Sequence, residues 1–359
     1  MSAPGGRWEF GRPDLEALLA EASKVKGESL WYDAWRRIRQ NRVAYAALIF
    51  LACVATGSLC APLLPIPSPM ALDLQDEPQP PVPPWEQFGD RGWDPSGYWE
   101  LSAVDGALVR LRGKVFGDWQ TGHWLGTDAL GRDLLARIVW GSRISFQVAL
   151  VATFCSLLIG VTYGAFSGLA GGWVDNLMMR IVDVLYSLPF IFMVIFLLTI
   201  VNEYTAQLAD LGFEKIHVFY LVIGAIYWLT MARVVRGQVL SLKHSEFIES
   251  ARVLGASTPR ILFVHLVPNV LSVVIVYLTL TIPAIMLFEA FISFLGLGVE
   301  PPKVSWGLLA VDGTDAINPI RMFWWLVVWP AAAMGSTLLA LNILGDGLRD
   351  ALDPKLRGR

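Results

Sequence analysis

Three places in the chain hold side chains capable of chemistry. The first is His123 with Asp128 and Asp133, an imidazole near carboxylates, which is the raw material of general acid–base catalysis. No Ser or Cys nucleophile stands convincingly beside them. Gly126, Gly131 and Asp128 suit a tight turn instead, with Asp128 or Thr127 positioned to cap the helix that follows. Arg132, Asp133 and Arg137 fall at helical spacing, within salt-bridging reach. The second place is Glu289, alone in a run that is otherwise apolar over residues 266–299. Charge buried in a bilayer is costly and often functional, which opens a gating or passage role. About 20 helical residues precede it, enough to bring it near the far interface, so a hydrogen-bonded turn or helix-break residue is the competing reading. The third is Gly113-Lys114, which is followed by Val115 and lacks the upstream glycine of a phosphate-binding loop. Cys53, Cys60 and Cys155 lack metal-ligand spacing, and His123, His217, His244 and His265 lie in separate segments. Neither a nucleophile–base pair nor a metal cluster emerges, so catalysis is not expected of this chain.

A second kind of site, built for contact, is formed by Glu246, Phe247, Ile248, Glu249, Ser250, Ala251, Leu254, Gly255, Ala256 and Ser257. Phe247, Ile248, Ala251 and Leu254 make a short apolar stripe at helical spacing. Gly255 suits the position that ends a helix, Ser257 can cap a second one, and Pro259 falls in its first turn. Two short helices broken at a glycine form a firm apolar knob. Such a patch either receives a partner or packs back on its own bundle.

The elements around these residues are membrane spans. Hydrophobic residues make up 55% of the 359 and charged ones 16%, where soluble domains carry about 25% charged residues. Uncharged runs at residues 43–64, 144–170, 184–202, 266–288 and 322–345 reach the roughly 20 residues that cross a bilayer. A sixth, at 216–232, is shorter: it spans if Arg233 snorkels to the interface, or else it is re-entrant. The expectation is an all-α membrane protein of about six spans. Residues 1–42, 171–183, 233–265 and 346–359 then share one side and hold 18 of the 28 Lys and Arg residues, which places that side and both termini in the cytoplasm.

On this reading residues 1–42 are a tail ending in an amphipathic helix, 43–64 the first span, 65–143 an extracytoplasmic loop, 144–345 a five-helix core and 346–359 a cytoplasmic tail. Leu30, Trp31, Trp35 and Ile38 recur on one helical face with Arg36, Arg37 and Arg39 turned largely away, the pattern of a helix lying on anionic lipid, with a cytosolic helix packed on a partner as the alternative. The outer loop is proline-rich over residues 65–84 and carries tryptophans after that, so a small ordered cap is expected. The first apolar run begins only at Val43, late for a cleavable signal peptide.

The knob resembles the signature loop of permeases of binding-protein-dependent ATP-binding-cassette importers: Glu-Ala-Ala, three residues, Gly, nine residues, Ile-x-Leu-Pro. Glu249, Ala251, Gly255 and Pro268 match it with the same spacing, whereas Ser250, His265 and Val267 depart from it. Other blocks are similar to the C-type subunit of oligopeptide and dipeptide importers. They are Ser29-Leu30-Trp31 with Asn41-Arg42, residues 123–137, Gly171-Gly172 with Asp175, Val235-Arg236-Gly237-Gln238, residues 291–298, Ser305-Trp306-Gly307 and residues 345–350.

That resemblance implies the type I importer permease fold in a bacterial inner membrane. It implies that residues 246–258 form a coupling helix seated in a groove of an ATPase subunit, with Glu249 facing a basic group. It implies a second homologous permease, two cassette ATPases that carry ATP and Mg, and an extracytoplasmic peptide-binding protein. This chain would need no cofactor and bind no nucleic acid. Peptides are the implied cargo, and nickel or another small solute is the alternative. An ion-coupled secondary transporter, the more distant rival, would place ionisable residues mid-span for coupling, and these runs have none there.

Overall fold

The computed structural model describes residues 30–72, 78–84, 88–90, 93, 98, 101–210, 214–317 and 321–352. Helix α1 (Leu30–Gln40) turns at Asn41 into α2 (Arg42–Leu59). The Asn41 side chain accepts from the Val43 and Ala44 amides at 3.2 Å, a cap that starts the first span. Pro62 lies in a 3-10 turn over Ala61–Leu63, so this span stops at Leu59 rather than 64. Strand β1 (Phe88–Asp90), helix α3 (Ala103–Phe116) and strand β2 (Trp119–Thr121) build the expected cap, with β1 and β2 antiparallel. Buried Arg112 of α3 lies over the Trp93 ring, 4.2 Å from its centroid, and donates to the Trp119 carbonyl.

The core follows as α4 (Leu134–Ala170), α5 (Gly172–Ser187), α6 (Phe190–Glu203), α7 (Thr205–Asp210), α8 (Lys215–Leu242), α9 (Glu246–Val253), α10 (Thr258–Phe294), α11 (Trp306–Asp315) and α12 (Trp324–Leu352). Helices α2, α4, α8, α10 and α12 are long and apolar enough to cross a membrane. The pair α5–α6 is long and apolar enough only when joined across an 87° bend, as a broken span or a re-entrant loop. The run expected as a single span over residues 184–202 is therefore interrupted between Ser187 and Phe190. Pro189 has no amide to donate, and its ring pushes Leu188 into extended backbone, which ends α5. The short run at 216–232 belongs to α8, which continues through Arg233 to Leu242 and is long and apolar enough to span.

Other expected boundaries move as well. Asp133 accepts from the Ala136 amide at 2.7 Å and starts α4 ten residues before the uncharged run begins. Helix α12 runs on to Leu352, so residues 346–352, expected as tail, continue the helix. Its last turns receive α1: Ala34 and Ile38 are buried with Leu348, Ala351 and Leu352, while Tyr32 and Trp35 stay exposed. The apolar face of α1 is thus divided between the bundle and its surroundings, not given wholly to lipid. Residues 1–29 and 353–359, Trp85 and Trp99, and the side chains of Leu30 and Trp31, lie outside the described residues.

Helices α4 and α8 form the tightest seam. Ser156, Gly160, Gly164 and Gly168 recur every fourth residue of α4 and face α8. The Ser156 hydroxyl donates to the Tyr227 carbonyl at 3.1 Å, and a methyl on Gly160 would lie 2.6 Å from Met231 Cβ. Small residues let two backbones approach closely, which supplies dispersion and polar contact where lipid removes the hydrophobic drive. The start of α2 and the end of α12 meet at one end of the bundle, where Gly347 abuts Ala44. At the other end Trp325 of α12 donates to the Thr127 carbonyl at 3.1 Å.

Candidate functional site

Helix α9 projects from the connection between α8 and α10. Its end is a Schellman motif: the Gly255 amide donates to the Arg252 carbonyl and the Ala256 amide to the Ala251 carbonyl, both at 2.9 Å. Gly255 sits at φ +81° with no heavy atom within 4 Å of where a Cβ would be, so backbone conformation and not crowding demands glycine. Ser257 occupies the N-cap position of α10 with Pro259 behind it, although its hydroxyl makes no capping bond.

The apolar stripe is divided, which corrects the one-face expectation. Ile248 is fully buried in a cluster with Val239, Ile261, Leu262 and Leu266, and Ala251 is buried beside it. Leu254 is 87% exposed because it lies at the C-cap, where the chain leaves the helical path. Val253 is 88% exposed, and Phe247 projects outward as well. Residues 248 and 251 are therefore the root of the knob, and 247, 253 and 254 its tip. Glu246, Glu249, Ser250 and Ser257 are exposed around them, and Ala256 is half-buried. Pro268 stands apart, in α10 just past a π-helical turn at Ile261–Leu266. That widened turn accommodates the missing amide.

Glu289 is 1% exposed, near the end of α10. Ser145 of α4 donates to it at 3.1 Å and Ser293 at 2.8 Å, while Ser145 also accepts from the Trp306 amide of α11 at 3.2 Å. It is hydrogen-bonded, as the structural reading expected, but within a continuous helix instead of at a turn or break.

Residues 160–358 match the family model described as binding-protein-dependent transport system inner membrane component, and residues 29–81 match the N-terminal TM domain of oligopeptide transport permease C. The chain belongs to this permease family. Similar relatives include the oligopeptide transport system permease protein OppC of Escherichia coli, 41% identical over 94% of this chain and 96% of the relative. OppC of Salmonella typhimurium is 42% identical over the same shares, and the dipeptide transport system permease protein DppC of Bacillus subtilis is 38% identical over 94% and 90%. Among solved structures, a chain of the inward-facing MetNI methionine ABC transporter aligns with TM-score 0.48 and 17% identity, over 60% of this chain and 96% of that one.

The knob's root meets the bundle through apolar contact at Ile248, and beside it an ion pair joins the neighbouring helices. Arg236 of α8 grips Asp175 of α5 through two bonds of 2.9 and 2.6 Å, and the Ser167 hydroxyl of α4 donates to the same carboxylate at 2.6 Å. Lys243, where α8 ends, donates to the Gly168 carbonyl at 3.4 Å. These bonds hold α4, α5 and α8 together at the end of the bundle from which α9 projects.

The acid–imidazole group is structural. His123 meets Asp133 at 3.0 Å, and Asp133 is the α4 cap, which neither Asp128 nor Thr127 provides. Asp128 accepts from the Leu130 and Arg132 amides and pairs with Arg132 at 2.7 Å and Arg137 at 2.5 Å. Arg137 also reaches Asp312 at 2.8 Å, which clasps α4 to α11. The expected Arg132–Asp133–Arg137 ladder is thus replaced by two arginines converging on Asp128. Sequence reasoning missed Val253, Asp312 and the small-residue stripe of α4. Only the stripe had a readable signal, its four-residue spacing.

Proposed function

We propose that this permease imports peptides, driven by separate ATPases that dock on the α9 knob. One observation carries the reading: Val253 and Leu254 stand exposed on a helix whose root is locked into the bundle, a shape that accepts a push without folding away. The names of the relatives, oligopeptide and dipeptide permeases, support peptides as the cargo.

On this reading the knob end and both termini face the cytoplasm, supported by 18 of the 28 basic residues on that side. The cap of α3 and the β-ribbon faces outward, where an extracytoplasmic peptide-binding protein delivers cargo. The chain sits in a bacterial inner membrane beside a second homologous permease, above two cassette ATPases that hold the ATP and Mg. Glu246 and Glu249 meet basic groups of an ATPase groove, and Pro268 with its π-helical turn sets the angle at which the knob joins α10. Arg36, Arg39 and Arg42 of the first two helices are exposed beside Trp35 and meet anionic lipid headgroups. Glu289 holds the α4–α10–α11 junction in register, and any gating role acts through that junction.

Co-purification tests the reading. The Val253→Ser, Leu254→Ser double variant is expected to lose both ATPases from the detergent-extracted complex while keeping the second permease. ATPases retained at wild-type stoichiometry would sink the docking assignment.

A further inference from the structure

The break between α5 and α6 opens on a cavity of about 450 Å³, within the usual range for small-ligand sites. Phe190 and Met193 give it an apolar wall, and Tyr186, Ser187, Tyr227 and Thr230 bring four hydroxyls to it. Tyr186 and Tyr227 are engaged at long distance, while Ser187 is firmly bonded and Thr230 also meets Tyr277. Tyr186 and Thr230 stand 3.4 Å apart, Tyr227 reaches the Ala284 carbonyl at 3.3 Å, and Ser187 bonds back to its own helix. One turn further along α8, Arg233 pairs with Asp183 at 2.8 Å and lies over the Tyr186 ring, 4.2 Å from its centroid.

The side chains of that ion pair are 38% and 58% exposed. Hydrocarbon does not solvate an exposed ion pair, so at its Arg233 end the cavity opens toward water, headgroups or the polar groups of a neighbouring subunit. Tyr227 and Thr230 fall near the middle of helix α8 by residue count, within two turns of Arg233. A helix interrupted inside a membrane is tolerated where the freed backbone lines protein or a wet cavity, and transporters form substrate sites at such interruptions near the midplane.

We propose that this cavity is a passage subsite that takes one residue of a peptide. The peptide amide exchanges hydrogen bonds with Tyr186, Tyr227 and Thr230, and its side chain rests on Phe190 and Met193. Hydroxyls both donate and accept, so they satisfy the N–H and the C=O of any residue without selecting a sequence. The assignment rests on the peptide-importer reading and deepens it.

Thr230→Cys and Ser187→Cys, each placed in a chain with Cys53, Cys60 and Cys155 changed to Ala, test it in the intact complex in proteoliposomes. A charged methanethiosulfonate is expected to label both positions, and turnover with peptide-loaded binding protein is expected to slow the labelling. Labelling by a lipid-soluble maleimide alone would show an acyl chain in the cavity and overturn the proposal, as would labelling indifferent to peptide. Thr230→Trp, which fills the cavity, is expected to cut peptide uptake about tenfold while ATP hydrolysis stimulated by the binding protein persists. Undiminished uptake by that variant also overturns it. If the unaltered complex moves no peptide, the importer reading itself has failed, not the placement of the subsite.

Discussion

At position 255 the backbone selects the residue. A side chain at φ +81° costs about 1–2 kcal/mol, and open space means that Gly255→Ala adds strain without a clash. The variant is expected to assemble with its ATPases but to take up fewer peptides per ATP hydrolysed. An unchanged ratio would separate the shape of the knob from coupling. Glu289 makes the opposite case, where side-chain partners decide. Glu289→Gln keeps an acceptor for one serine and offers its NH2 to the hydroxyl oxygen of the other, and uptake and melting temperature should stay near the parent's. Glu289→Ala strands both hydroxyls and should cost about 1–3 kcal/mol, read as a lower melting temperature in detergent. A Gln variant that folds normally yet does not transport would assign gating to the charge itself.

Between elements, the α4–α8 seam is governed by how closely two backbones approach. A methyl on Gly164 would enter the Ala232 carbonyl, and backbone cannot yield as a flexible side chain does. Gly164→Ala is expected to destabilise by about 1–3 kcal/mol. Gly57→Ala on α2, where nothing lies within 4 Å, should be neutral or slightly stabilising. Equal melting temperatures for the two variants would remove the seam from its structural role. The α5–α6 break belongs to this scale too. Pro189 was visible in the chain, but an apolar run read by hydropathy alone treats proline as one more uncharged residue, and the 87° bend was lost.

For the whole molecule, the proposed orientation rests on charge. Val253→Cys in a cysteine-free chain is expected to react with an impermeant thiol reagent only when the cytoplasmic face is opened. Labelling in intact cells would invert the topology and end the case for a cytosolic drive. The spans and the knob were legible because each is local: an uncharged run, or a stripe followed by glycine and then serine and proline. The Asp128 network, the burial of Ala34 and Ile38 on α12 and the Arg236–Asp175 clasp were not, because each joins segments that sequence separation hides.

What the amino-acid order determined alone was the class of solvent and the kind of element. Uncharged stretches must form helices in lipid, since a bilayer offers unpaired backbone groups no partner. Only the tertiary structure decided which side of each helix met protein. It sent Ile248 inward and Leu254 outward, and it buried Glu289 between serines. In lipid all apolar faces look alike, and close packing and paired polar groups, not hydrophobicity, choose among them.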